Sequence, residues 1–306
     1  MAIYLPEGII FDTQTNRAAI RDAAALNECI ESGRIVESKA LVCNGDHDLI
    51  VDLNGIKGVI PRNEGAVGIS EGVTRDIAII SRVNKPVCFT VQRLLRDKNG
   101  NLTAMLSRRQ AQQQCADNYL SKLRPGDVIK VKVTHLENFG CFVDIGCGIA
   151  SLIPIDSISV SRISHPRDRF KVGQEILAVV KTIEDGKINL SHKELLGTWE
   201  QNASLFTAGE TVAGIIRSIE EYGIFVELTP NLAGLAELRD DVTVGQHAGV
   251  YIKSLIPEKM KVKLIIIESF ESDDVNYNYN YHITGGKLDH WRYSPDSSSK
   301  LIETVF

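Results

Sequence analysis

Val128-Ile129-Lys130-Val131-Lys132-Val133 alternates aliphatic residues with lysines, the period-two pattern of a strand with one buried and one wet face. The alternation resumes after Asn138-Phe139-Gly140: Cys141, Val143 and Ile145 share one side, Phe142 and Asp144 the other. A phenyl ring on the polar side is unusual, because a core would take it. Phe139 lies three residues before Phe142, which in a regular strand sends the two rings to opposite faces. Gly140 between them predicts a bulge that brings both rings to the polar face. Ile176 to Ile183 and Lys187 to Ser191, separated by a turn at Asp185-Gly186, predict two further strands. With Ser151 to Ile155 these make five short strands, the content of a small closed barrel of OB type.

The pattern recurs on both sides. Gly33-Arg34-Ile35-Val36 opens like Gly126-Asp127-Val128, and Ile50-Val51-Asp52-Leu53 matches Phe142-Val143-Asp144-Ile145. Gly58-Val59-Ile60-Pro61 and Leu106-Ser107-Arg108-Arg109 match Ser151-Leu152-Ile153-Pro154 and Leu190-Ser191-His192-Lys193. Downstream, Tyr222-Gly223-Ile224-Phe225-Val226 restates the aromatic block at the same distance from Gly209 as Phe139 from Gly126. The predicted fold is all-β: three tandem five-stranded barrels of OB type joined by short helices, with an N-terminal helix and a small β tail. The predicted boundaries are an N-terminal extension, 1–31, with a helix from Asn16 to Glu31; a degenerate repeat, 32–114; and a helical linker, 115–122. A repeat with both aromatics, 123–193, a second helical linker, 194–206, an acidic repeat, 207–270, and the tail, 271–306, follow.

Four ordered blocks carry a family likeness: Gly126-Asp127-Val128, Phe139-Gly140-Cys141-Phe142-Val143, Lys171-Val172-Gly173-Gln174 and Ile188-Asn189-Leu190-Ser191-His192-Lys193. Together they resemble the S1 domain, the RNA-binding repeat named after a bacterial ribosomal protein. The resemblance implies that two aromatics and a basic residue before the last strand contact RNA; these fall on Phe139, Phe142 and Lys187. Pro154 stands where the family often has a His, which removes one implied contact, and Glu184 where it often has an Asp. Three such repeats resemble a short relative of the ribosomal protein that holds messenger RNA near the small subunit, whose larger members carry four to six. The implied partners are single-stranded RNA, the ribosome and other RNA-processing proteins, and the implied role is translation or mRNA handling.

Two rings on one polar face, beside Lys130 and Lys132, predict a stacking platform for unpaired bases, flanked by Asn138 and Asn189. The third repeat keeps the pair as Tyr222 and Phe225 with Lys261 on its last strand, but Glu220, Glu221, Glu227 and Glu237 surround it and repel phosphate. In the first repeat Asn44-Gly45-Asp46-His47-Asp48, a hairpin-turn composition, replaces the pair. An insertion from Pro61 to Asn84 brings Arg62, Arg75 and Arg82 as candidate phosphate contacts. Trp199 is expected to anchor a linker against a barrel. Tyr277, Tyr279 and Tyr281 at period two predict one face of a strand packed on the third barrel, and Thr304-Val305-Phe306 a buried last strand.

Charge refines this picture. The net charge of −5 argues against a polyanion. Its distribution is uneven, however: +4 over residues 32–114, +2 over 123–193 and −3 over 206–270. The first two-thirds can follow a phosphate backbone and the last third repels it. No run of 18 apolar residues predicts a membrane span, and the N-terminus lacks a secretion signal. Six scattered cysteines without a CxxC pair fit reduced thiols in a cytoplasmic protein and predict no metal. No cofactor motif is present. The acidic run Glu271-Ser272-Asp273-Asp274 has no basic partner beside it and reads as a linker, so no enzyme is expected. The alternative reading is a protein-docking scaffold for the ribosome or an RNA-processing complex, in which the first and third repeats bind protein.

Overall fold

In a computed structural model that describes residues 4–272 and 278–306, the alternating segments close into three five-stranded barrels. The first is built from β1 (Ile35–Cys43), β2 (Leu49–Leu53), β3 (Ile56–Ile60), β4 (Pro86–Arg96) and β5 (Leu102–Ser107). The second comprises β6 (Val128–Glu137), β7 (Gly140–Asp144), β8 (Ala150–Pro154), β9 (Glu175–Glu184) and β10 (Lys187–Ser191). The third comprises β11 (Thr211–Glu220), β12 (Gly223–Thr229), β13 (Leu232–Ala236), β14 (His247–Ile256) and β15 (Lys261–Phe270). Strand order is the same in all three: the third strand runs parallel to the fifth, and the fourth lies between fifth and first. Closure pairs every edge strand, so the barrel needs no partner to satisfy its backbone. The inward residues are aliphatic, such as Val131, Val133, Val143 and Ile153 in the second barrel and Ile216, Val226, Val250 and Leu264 in the third.

The chain divides into two compact units, residues up to Leu123 with Asp144–Ala150, and Arg124–Val143 with Ser151–Phe306. In the first unit the predicted single helix is two. α1 (Gln14–Ala19) ends, and Asp22 caps α2 (Ala23–Ser32) by accepting from the Ala25 amide at 2.9 Å. An Asp at that position offers a new N-terminus, which the alanine periodicity concealed. The insertion holds a short helix, α3 (Ile77–Ile80), and α4 (Arg108–Asn118) follows β5. Glu7 is buried here against Arg108, whose Nε donates at 2.7 Å, and Arg82 donates to it at 3.3 Å. Asp144, beside them, accepts from the Glu7 and Gly146 amides. Burial and the Glu7 charge push its carboxyl up to about 6.

The second unit holds two barrels on one shared core, which joins Val179, Leu195 and Trp199 of α5 (Trp199–Ala203) to Ile216, Val226 and the tail residues Leu288, Trp291 and Tyr293. Trp199 is buried, as an anchor should be. Asn231 is fully buried and satisfied: its Nδ2 donates to the Lys193 and Gly197 carbonyls and its Oδ1 accepts from the Val160 amide. Glu227 is also buried, paired with Arg169 of the second barrel and, at 2.8 Å, with Arg217 of its own.

The tail departs from its predicted course. Tyr277, Asp273 and Asp274 lie outside the described residues. Tyr279 and Tyr281 stand in no strand and pack on the second barrel, not the third, around Phe170 and His192. Further on the tail crosses Gly126, at φ +92°, where a Cβ would meet the Leu288 carbonyl oxygen at 1.9 Å. It ends in a two-stranded ribbon, β16 (His290–Arg292) with β17 (Glu303–Val305), in which Val305 is exposed and not buried as expected.

His192 is sealed in this packing. Its Nδ1 faces the Ile158 carbonyl at 3.0 Å, so Nδ1 must donate. Nε2, 3.1 Å from the Tyr281 hydroxyl, is then the acceptor. Burial, opposed by the Ile158 bond and aided by Arg169, holds the imidazole down to about 4 from 6.5. The unfolded chain takes up a proton at its ordinary value. Stability from this residue is therefore full above pH 6.5 and lost as pH falls toward 4, at up to about 1.4 kcal/mol per pH unit. Both tryptophans, Trp199 and Trp291, lie in this unit, so denaturant unfolding followed by tryptophan emission reads it alone. His192→Gln should flatten the acid limb of that stability curve, and an identical limb in the variant refutes the assignment. Glu227→Gln, which leaves Arg169 buried without its counter-ion, should lower stability by about 3–5 kcal/mol in the same measurement.

Candidate nucleic-acid interface

The second barrel's ring pair sits at the tip of its first hairpin. β6 ends at Glu137 and β7 begins at Gly140, so Asn138 and Phe139 are the turn. The predicted bulge is therefore not what aligns the rings: Phe139 leaves the ladder as a turn residue, and Phe142 stands on the outer side of β7. Their ring centroids are 6.0 Å apart, edge to face at 89°. Phe139 is 56% exposed and Phe142 half-buried, while Cys141 and Val143 between and beyond them are in the core. Gly140 has a steric reason. A Cβ there would come within 2.5 Å of the Ile153 carbonyl oxygen and 3.1 Å of Pro154 Cα, because β8 passes directly over it.

The surrounding polar residues are distributed unevenly. Thr134 Oγ1 donates to the Phe142 backbone carbonyl at 3.1 Å, which sets Thr134 of β6 beside this residue. Lys132 and Lys130 stand two and four residues further along β6, about 7 and 14 Å away, where they pair with Glu175 and Leu177 of β9. On the other side Leu152 of β8 pairs with Asn189 of β10, whose Nδ2 donates to Thr182 at 3.1 Å. Lys187 opens β10 and is exposed, as is Asn138 at the turn. The site thus has two rings, an amide at each flank, Lys187 at the start of β10, and Lys132 and Lys130 on its outskirts.

The third barrel repeats the geometry. Glu221 and Tyr222 form the turn, Gly223 opens β12 under the Ala236 carbonyl, 2.6 Å from where a Cβ would be, and Tyr222 meets Phe225 at 6.0 Å and 89°. Tyr222 is 69% exposed. Phe225 pairs with Leu235 and Leu235 with Lys263, so Lys263 occupies the place of Asn189, and Lys261 that of Lys187. Lys263 was missed in the sequence, although the alternation Lys261-Val262-Lys263 puts both lysines on one face. The expected ring of acid is incomplete. Glu227 is withdrawn into its ion pairs with Arg169 and Arg217, leaving Glu220, Glu221 and Glu237 at the surface.

In the first barrel the corresponding turn is Asn44 to Asp48, held by its own side chains: Asn44 Oδ1 accepts from the Asp46 and Asp48 amides. No Phe or Tyr ring stands there; the imidazole of His47 turns to Asp76 at 3.2 Å. Of the three insertion arginines, Arg62 pairs with Asp76 at 2.7 Å and stays exposed, and Arg82 turns inward to the buried Glu7. Arg75 is exposed. Among the described residues no three His, Cys, Asp or Glu side chains are placed to hold a metal ion, and no helix is long and apolar enough to cross a membrane.

Comparison with known proteins bears on the family of the second barrel. Residues 122–193 match the model of the S1 RNA binding domain. Over 269 residues the chain is 30% identical to small ribosomal subunit protein bS1 of Staphylococcus haemolyticus, covering 82% of this chain and 65% of that one. Over 277 residues it is 28% identical to the bS1 homolog of Bacillus cereus, covering 84% and 69%. The chain thus spans about two thirds of the length of the curated relatives it matches. A crystal structure of a multidomain protein with nucleic acid binding domains from Streptococcus pneumoniae is similar over 78% of this chain and 75% of that one, at 15% identity and a TM-score of 0.25. Repeated barrels of one strand order, an aromatic hairpin tip and this identity lead to one assignment: residues 122–193 are an S1 RNA-binding domain, and the chain is homologous over most of its length to small ribosomal subunit protein bS1.

Proposed function

We propose that the chain binds single-stranded RNA in the cytoplasm, in translation or the handling of messenger RNA, with the second barrel as its main reader. The observation that carries this reading is the pair Phe139 and Phe142, held out of the core on a hairpin tip with an exposed lysine across the face. An unpaired base has an apolar face that water solvates poorly, and an exposed ring offers it a partner without regard to sequence. Lys187, with Lys132 and Lys130 further along, supplies phosphate contacts, and Asn138 and Asn189 supply polar contacts at the flanks. The third barrel is a second, weaker reader through Tyr222, Phe225, Lys261 and Lys263, with Glu220, Glu221 and Glu237 opposing phosphate. Arg62 and Arg75, both exposed, are the insertion residues placed to add contacts. Selectivity for sequence is low, because stacking accepts any base.

A second reading, protein docking, has its support in the first barrel. Its hairpin carries Asn44 to Asp48 in place of rings, and Leu41 and Val42 near that tip are exposed. We assign this barrel to a protein partner on the ribosome or an RNA-processing complex. Retention of the chain on ribosomes after nuclease treatment is the expected result; complete release by nuclease counts against this assignment.

Stacking is worth roughly 1–3 kcal/mol per base. Phe139→Ala with Phe142→Ala should therefore weaken binding to an unstructured oligonucleotide at least ~tenfold, with cooperative unfolding kept because Phe139 is exposed and Phe142 stands on the outer side of β7. Parental affinity in the double variant, measured by fluorescence anisotropy, removes the basis of this reading. Affinity should also fall with salt, at a slope of about −0.7 per phosphate neutralised, and Lys187→Ala should reduce the slope by about that amount. A slope that does not change in the variant removes Lys187 from the contact set.

A further inference from the structure

Each barrel has an outer face on its fourth strand, and the first two cover it with the chain that follows their fifth strand. The position is fixed by register. Ile35, Val128 and Thr211, each two residues after an opening glycine, pair with Thr90, Val179 and Tyr251. Thr90 is buried under α4, whose Gln110 lies 2.7 Å from its hydroxyl. Val179 is buried in one cluster with Leu195 and Trp199. Tyr251 remains 36% exposed, and among the described residues no helix follows β15.

The bare face is apolar at its centre and charged at its ends. Ile265 pairs with Tyr251 and is 43% exposed; Ile267, at a register shift, is 55% exposed. Lys253 and Lys263 lie toward one end. Toward the other, Glu268 pairs with Gly249 and its side chain lies over that glycine, while Phe270 stacks against His247 at 5.9 Å. Lys253 and Gly249 stand equally far from Tyr251 along β14. A two-fold axis crossing the strands at the Tyr251–Ile265 rung therefore lays Lys253 of one copy over Glu268 of the other, twice, and the aliphatic centres over each other. A surface that is its own complement under a two-fold is what an isologous dimer requires.

We propose that the outer face of β14 and β15 is the interface between two copies of this chain. The opposed charges fix the antiparallel register, and burial of Tyr251, Ile265 and Ile267 supplies the affinity. This face adjoins the ring pair of the third barrel, since Lys263 lies two residues from Ile265 on β15.

Sedimentation velocity over a concentration series, on nuclease-treated full-length chain, should show a monomer–dimer equilibrium. Ile265→Asp should give monomer. Lys253→Glu and Glu268→Lys should each weaken the dimer at least ~tenfold, since each sets two like charges against each other twice. A mixture of these two single variants should form heterodimers, because both cross-pairs are then attractive; the double variant should dimerise like the parent. All three substitutions are at exposed positions, and the tryptophan unfolding curve checks that the charge variants stay folded. A parent that is monomeric at every concentration overturns the proposal. So does a dimer indifferent to Ile265→Asp, or a failure of the single variants to complement, which would leave the face to a helix of another protein or to nucleic acid.

Discussion

The close passage of one strand over another decides where the aromatic rings go. In the second and third barrels the residue after the hairpin turn lies under a carbonyl of the next strand, Ile153 or Ala236, with no room for a Cβ. Glycine is therefore required at Gly140 and Gly223, and the residue before it belongs to the turn. A large side chain in a turn cannot reach the barrel interior, so Phe139 and Tyr222 stay in solvent. The next outward position on the strand, Phe142 or Phe225, then lies beside them, and both pairs arrive at 6.0 Å and 89°. Steric exclusion at the glycine, more than any attraction between the rings, sets the platform.

The barrel junction in the second unit is polar, which changes the electrostatics of the third barrel as well as its stability. Asn231 satisfies two carbonyls and an amide from two other segments, and no aliphatic residue of that volume could do so. Glu227 and its two arginines are matched in the same way. Burying such groups costs desolvation and brings little net stability, but it penalises any other orientation of the two barrels, which would leave charge buried and unmatched. The same pairing removes a carboxylate from the surface near Tyr222 and Phe225. The two ring pairs consequently belong to one compact unit.

Much of this was readable in the sequence, and the failures have a common cause. Period-two alternation exposed the strands, the fixed offset from Gly126 to Phe139 and from Gly209 to Tyr222 exposed the repeat, and Phe-Gly-x-Phe marked the site. These signals are local. The mistaken bulge at Gly140 came from assuming that Phe139 was already in a strand, when strand ends are the least determined feature of alternation. The fates of Glu227 and Arg82 depend on Arg169 and Glu7, each more than fifty residues away, so their sequence neighbourhoods could not disclose them. The tyrosines of the tail were misplaced for the same reason: Tyr281 is drawn to His192 and Leu177 of an earlier barrel. Lys263 is different, because Lys261-Val262-Lys263 alternates openly, and once the fifth strand is recognised both lysines follow.

A closed barrel satisfies its backbone with its own strands, so the residues on its outside are free of any duty to the fold. This is why one strand order carries three surfaces here. The first barrel has a polar turn in place of rings and a covered fourth strand, the second has rings and a covered fourth strand, and the third has rings and a bare one. What differs is not the core but what the following chain covers: α4 follows β5, Leu195 and Trp199 follow β10, and among the described residues no helix follows β15. In such a fold the connector controls which outer face remains available, and the hairpin turn controls which rings stand at its tip. A repeat can then change partner by altering either segment, with its aliphatic interior left as it was.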